Sequence, residues 1–303
     1  MHAHHHHGAT GQRLQLSLLA TVVFIVVEFA AGIQAHSLAL LSDAGHNFTD
    51  ALALLLAWFA FYVESRPANT VKTYGYQRAG VLAAFTNALA LIVLAGFIFY
   101  ESYHRFQAPP EVSEGIMIAV ASVGLVVNVG IMLALRSASR HDLNIRSAFV
   151  HMLGDALGSI GIILGGVCIR WTGRYWIDPL LSVLIAVLIL WTAWGIIKES
   201  LNILLEGLPR GLHLETVVAE VRRLPGVIDV HDVHIWSLAS HTHALSCHVL
   251  IEDLPPSASE TILRGVNDLL AGRFHITHTT IQFEHALCEI SASGCGPGRS
   301  ECR

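Results

Sequence analysis

Six apolar stretches, each long enough to cross a bilayer, limit what this chain can fold into more than any other feature. They fall near Leu14–Gln34, Leu38–Val63, Gly80–Tyr100, Ser113–Leu135, Arg146–Trp171 and Ile177–Ile197, and each covers the ~30 Å hydrocarbon layer at helical rise. Lipid offers backbone N–H and C=O groups no partner, so such stretches are helices. Composition agrees, with 53% hydrophobic and 14% charged residues and a mean hydropathy of +0.55, unlike an ordinary soluble domain. The first stretch is too long and too late for a cleaved signal, although Ala35 and Ser37 weakly resemble a cleavage site, and it reads as a retained span. Arg66, Lys72 and Arg78 mark the second-to-third loop, and Arg136, Arg140 and Arg146 the fourth-to-fifth. The positive-inside rule puts both loops, and with them both termini, in the cytoplasm.

From about Leu208 the pattern changes to that of a small soluble domain. His213–Leu224 reads as a helix stopped by Pro225-Gly226, Val227–Leu238 and Thr242–Glu252 as strands, Ser257–Arg273 as an amphipathic helix and His278–Glu284 as a third strand. That order suits a small open α+β sheet with helices on one face. The expected organisation is a His-rich tail over 1–12, a six-helix transmembrane domain over 13–207, a small α+β domain over 208–290 and a flexible tail over 291–303. The net charge of -5 and the lack of a basic stripe exclude nucleic acid as a partner. Cys168 lies in a span, and Cys247, Cys288, Cys295 and Cys302 lie on the side where thiols stay reduced, so no disulfide framework is expected.

The second span carries Ser42-Asp43-Ala-Gly-His46-Asn47-Phe-Thr-Asp50, costly groups to place in hydrocarbon. At about 100° per residue, His46 and Asp50 stack on one helix face with Asp43 beside them. The fifth span repeats the spacing with His151 and Asp155. Two such helices facing each other would present two imidazoles and two carboxylates, a four-coordinate N/O set that suits zinc, whose filled d shell imposes no geometry. Two ionised aspartates also cancel a divalent charge, and without an ion the adjacent like charges invite protons. Gly154, Gly158, Gly161 and Gly165 form a small-residue stripe expected to let a neighbouring helix approach. Glu28 and Asp178 are further intramembrane acids, open to a relay, second-layer, interfacial or helix-start role.

These residues carry a resemblance to a known family. The chain resembles the cation diffusion facilitators, in particular their bacterial cobalt–zinc–cadmium exporter branch, through Ser37-Leu-Ala-Leu-Leu-Ser-Asp43-Ala-Gly-His46, Tyr74-Gly-Tyr-Gln-Arg78-Ala, His151-Met-Leu-Gly-Asp155-Ala-Leu-Gly-Ser159, Leu204-Leu-Glu206-Gly-Leu-Pro209 and Val230-His231-Asp-Val-His234-Ile-Trp236-Ser. The resemblance implies a homodimer in a bacterial inner membrane that exports zinc, with cadmium or cobalt as alternatives, by proton antiport and alternating access. It also implies a ferredoxin-like cytoplasmic domain. By position it implies a transport site at His46, Asp50, His151 and Asp155, cytoplasmic metal ligands at His231, His248 and Glu284, and a dimer-holding ion pair between Arg78 and Glu206. His234, His278 and Cys288 are possible additions, whereas His241, His243, His275 and His285 read as solvated. The chain departs from the family pattern at Gly80, where a carboxylate is common, and in the 64–76 loop, which lacks the His and Asp residues of an accessory site.

The N-terminal Met-His-Ala-His-His-His-His-Gly is a metal-binding composition, found natively in this branch and also in expression tags. Cys288, Cys295 and Cys302 lack zinc-finger spacing. No enzyme activity and no organic cofactor are expected. The sequence contains no G-x-x-x-x-G-K-[ST] loop, so the driving force expected is a proton gradient. Two rival readings are a membrane-anchored metal sensor and an intramembrane metallohydrolase. The first leaves the doubled His/Asp motif without a purpose, and the second lacks His-Glu-x-x-His and G-x-S-x-G signatures.

Overall fold

The computed structural model describes residues 7–135, 143–239 and 242–286. Two compact units emerge, one of Met1–Leu55 with Thr86–Gly195, the other of Leu56–Phe85 with Ile196–Arg303. Six long helices occupy the apolar stretches: α1 His7–Gln34, α2 Leu38–Glu64, α3 Ala79–Gln107, α4 Glu114–Leu135, α5 Leu143–Thr172 and α6 Ile177–Leu204. Among the described residues, α2 to α6 are long and apolar enough to cross a membrane, and the described apolar part of α1, Thr21–Gln34, is shorter. Several helices outrun the apolar windows. Hydropathy registers the hydrocarbon layer, but backbone hydrogen bonding continues beyond it, as in α3, where the Glu101–Arg105 pair, four apart at 2.9 Å, supports the last turns. Phe61, Val93, Val126 and Trp191 stand exposed on their helices, an arrangement suited to acyl chains and not to water.

Within the first unit, Ala35, Leu40, Val112, Met117, Ile162 and Ile169 form a shared apolar core. The expected glycine stripe on α5 is realised in part. A side chain at Gly165 would strike Leu181 of α6, and one at Gly166 would meet Ile118 of α4 at 2.7 Å, but Gly154 and Gly161 have no neighbour within 4 Å and Gly158 makes ordinary contact with Asp43. The close approach therefore lies at the 165–166 end of the helix. Gly173 ends α5 in the left-handed region at φ 65°, donating its N–H to the Ile169 carbonyl, a conformation open to glycine at no steric cost.

The second unit holds α7 Leu214–Arg222, β1 Val227–Ala239, β2 Thr242–Ile251, α8 Pro256–Phe274 and β3 Ile276–Glu284. The sheet order is β1-β2-β3. The first pair is antiparallel and the second parallel, so α8 is the crossover that a parallel pair requires. Val217, Val221, Val266 and Leu270 from the helices cover Val230, Ile235, Leu245 and Val249 of the sheet. This is the α+β arrangement expected, with β3 starting two residues early. His275 caps α8 in the left-handed region (φ 56°, ψ 30°) and turns the chain directly into the strand without a loop.

Strand β1 has a feature that simple alternation does not reveal. Val230 and Ile235 both face the core, although they lie five positions apart and a regular strand would place them on opposite faces. The register shifts between His231 and His234, and Asp232 takes a φ of 49°. This β-bulge inserts one residue, switches the inward phase and re-aims the side chains around it.

Candidate metal centres

The helical spacing of four brings His46 Nε2 and Asp50 Oδ2 to 3.6 Å on α2, and His151 Nε2 and Asp155 Oδ2 to 3.6 Å on α5. The two helices then exchange partners. Asp50 Oδ2 lies 3.2 Å from His151 Nε2, and Asp155 Oδ1 lies 3.9 Å from His46 Nε2. Each carboxylate thus reaches both imidazoles, whose rings meet edge to face with centroids 6.0 Å apart. A tetrahedron with metal–ligand bonds of about 2.0–2.1 Å has edges of roughly 3.3 Å; His46, His151 and Asp155 each offer a ligand atom within 4.8 Å of the others, and Asp50 adjoins them through the two histidines. Asp50 Oδ2 is buried and forms no aligned hydrogen bond. Asp155 is the deepest member, 8% exposed, and His151 the most open at 43%.

Two further acids take structural positions that the sequence leaves open. Glu28 of α1 is buried and accepts a 3.1 Å hydrogen bond from Asn47 Nδ2, the residue beside His46. It therefore ties α1 to α2 one residue from His46. Asp178, at the head of α6, is fully buried and accepts from Ser37 Oγ at 2.5 Å and from the N–H groups of Leu38 and Ala39 at 2.7 and 3.3 Å. It caps α2, the helix bearing His46 and Asp50, and satisfies donors that helix geometry leaves unpaired. Arg105 stands 4.0 Å from the same carboxylate and donates to the His36 carbonyl at 2.6 Å.

A second cluster lies in the α+β part. His231 on β1 pairs in register with His248 on β2, whose β3 partner is Gln282, and Glu284 follows two residues later on the same face. This face is opposite the one that Cys247 and Val249 turn to the helices. Glu284 bridges the two histidines, with Oε2 3.0 Å from His231 Nε2 and Oε1 2.9 Å from His248 Nδ1. One ligand atom from each of the three lies within 4.8 Å of the others. His234 turns away to Asp232 at 3.1 Å, and His278 stacks edge-on against Tyr74 at 5.2 Å, so neither joins the three. His243 shares a 3.2 Å hydrogen bond with Ser237 Oγ, His285 meets the Glu252 carbonyl at 3.1 Å, and His275 serves as the helix cap. The N-terminal histidines at 2 and 4–6, together with His141, His241, Cys288, Cys295 and Cys302, lie outside the described residues. Periodicity gives no sign of where the Asp232 carboxylate goes, because a bulge decides it.

Comparison with known proteins places both parts of the chain. Residues 14–205 match the cation efflux transmembrane domain, and residues 209–286 match the cation efflux protein cytoplasmic domain. The chain belongs to the cation efflux family. Relatives in this cation efflux family include the metal cation efflux system protein CzcD of Cupriavidus metallidurans, 40% identical over 95% of this chain and 91% of that one. The cadmium, cobalt and zinc/H(+)-K(+) antiporter of Bacillus subtilis is 39% identical over 92% and 91%. The zinc transporter ZitB of Pectobacterium atrosepticum is 39% identical over 95% and 90%.

Two features of this cation efflux protein bear on its second unit. Arg78 Nη2 meets Glu206 Oε1 at 3.1 Å, with the glutamate 63% exposed, and a pair so open to solvent contributes about 0–1 kcal/mol. Glu206 itself adopts a φ of 60°. At Gly80, the Glu64 carboxylate accepts the backbone N–H at 2.9 Å, and a side chain at 80 would lie 2.7 Å from it. Glu64 therefore caps α3 from the space that a residue-80 side chain would fill.

Proposed function

We propose that this protein exports a divalent metal cation from the cytoplasm in exchange for protons, zinc first, with cadmium and cobalt as further substrates. The observation that carries the reading is the convergence of His46, Asp50, His151 and Asp155 on one space between two membrane-spanning helices. Two carboxylates and two neutral imidazoles cancel the charge of a divalent ion and supply the N/O donors zinc accepts. The names of the relatives, which speak of metal cation efflux, zinc transport and exchange of cadmium, cobalt and zinc for H(+) and K(+), support the same substrates.

Metal facing the cytoplasm displaces protons from the four groups, and the neutral loaded site reorients across the low-dielectric barrier. On the far side protons compete for the same groups and release the metal, because each ligand binds metal in its deprotonated form. His231, His248 and Glu284 hold a second, regulatory cation in the cytoplasm. The protein works as a homodimer in a bacterial inner membrane with both termini inside, and its membrane and cytoplasmic domains divide near residue 208. It catalyses no covalent reaction and needs no organic cofactor. In proteoliposomes with a pH gradient across the membrane, wild-type protein moves zinc and collapse of the gradient by an ionophore stops it. The Asp50→Ala and Asp155→Ala variants move none. Undiminished flux in both variants rejects the assigned site, and flux indifferent to the ionophore rejects the exchange.

A further inference from the structure

We infer that Asp232 positions His248 for cation binding, as a carboxylate behind a metal-binding imidazole. The inference rests on reading His231, His248 and Glu284 as a cation site, and adds to it a residue outside that set. His248 has one ring nitrogen on each side of the question. Nδ1 faces the space shared with His231 and Glu284, 2.9 Å from Glu284 Oε1, and Nε2 faces away from it, 3.7 Å from Asp232 Oδ2. An imidazole ligates with the nitrogen that carries the lone pair, and the proton on the other nitrogen needs an acceptor. A carboxylate in that place fixes the tautomer, holds the ring plane and makes the ligating nitrogen more basic. The 3.7 Å separation is longer than a direct hydrogen bond and lies within ion-pair range.

The backbone shows why the carboxylate is available. Asp232 occupies the bulge between His231 and His234 with a φ of 49°, a conformation most L-residues avoid and aspartate tolerates better than most. Without the bulge, residue 232 would face the helices, since Val230 does. With it, the side chain reaches His248 through Oδ2 and His234 through Oδ1, the latter at 3.1 Å. One inserted residue thus serves the core by resetting the phase of β1 and serves the site by supplying an acceptor.

The test uses the full-length chain in detergent, with Asp50→Ala and Asp155→Ala removing the intramembrane cluster and alanine replacing the histidines at 2 and 4–7. Cobalt(II) is titrated in and followed by its visible absorption, which reports coordination geometry. Against this parent, Asp232→Gly keeps a backbone at ease with positive φ and deletes the carboxylate, and Asp232→Asn keeps the shape and an acceptor oxygen without the charge. Both are expected to weaken cobalt binding by about 10–100-fold and to shift the absorption bands, with the melting profile of the metal-free protein unchanged. His248→Ala is expected to abolish the signal. Parent-like affinity and spectrum in both Asp232 variants, with the signal lost in His248→Ala, overturn the role of Asp232 and leave the cation site standing. A signal that survives His248→Ala overturns the site and the inference together.

Discussion

Asp50 and Asp155 differ from His46 and His151 in what their loss leaves behind. Removing a carboxylate leaves a divalent ion with one uncancelled charge in a low-dielectric barrier, a penalty of several kcal/mol, equivalent to a rate loss of at least ~100-fold. Removing an imidazole leaves charge balance intact, and water takes the fourth position. Zinc-flux kinetics should therefore show maximal rate collapsing in Asp50→Asn and Asp155→Asn, but half-saturating zinc rising with most of the rate retained in His46→Ala and His151→Ala. Equal losses of rate in all four would contradict the division of labour. Cys247 gives a second prediction. Burial pushes its thiol up to about 12, so it contributes stability in full below the thiol range of the unfolded chain, and that contribution is lost as pH rises toward 12. At pH 7–8 a water-soluble maleimide should leave Cys247 unlabelled until the protein is denatured. The four intramembrane residues were legible in the sequence because a helix fixes which positions share a face, so spacing of four in hydrophobic runs carries geometry. Asp232 was not, because its direction depends on a bulge that propensity does not announce.

Elements carry their own tests, chiefly at their ends. Asp178→Ala strips α2 of the acceptor for Ser37 Oγ and for the N–H groups of Leu38 and Ala39, leaving buried donors unpaired at a cost on the order of 3 kcal/mol. The detergent-solubilised variant should melt at lower temperature and transport more slowly, and an unchanged melt would mean that another group caps the helix. At the α8–β3 junction the left-handed His275 predicts the opposite sign. His275→Gly should hold or raise stability by up to ~1 kcal/mol, whereas His275→Val, β-branched in a left-handed position, should lower it in the same melting measurement. Element identity was readable from periodicity, but these boundaries were not. The cap on α2 comes from a residue about 140 positions away, and the strand that starts at Ile276 begins where a cap conformation ends the helix. The glycines of α5 teach the same lesson, since spacing identified a stripe but only the neighbouring helices decide that Gly165 and Gly166 sit against side chains and Gly154 does not.

For the whole molecule, the order of six long helices followed by αββαβ was written in hydropathy and turn residues, and family motifs scattered along the chain led to the same architecture. Finer relations were not: the doubled His/Asp motif pointed to α2 and α5 facing each other, but no local pattern encodes which side chains of α4 and α6 meet Gly166 and Gly165. At this scale the decisive proposal is that two helices contribute one imidazole and one carboxylate each to one ion. X-ray absorption at the zinc edge tests it directly, on full-length protein carrying His231→Ala and His248→Ala and with alanine at the tail histidines 2 and 4–7. The expected result is one tightly held zinc per chain, four N/O neighbours at about 2.0 Å with outer scattering from two imidazole rings, and loss of that zinc when Asp50→Ala and Asp155→Ala are added. A sulfur-containing shell, a shell with a single imidazole, or zinc retained in the doubly substituted protein would contradict it.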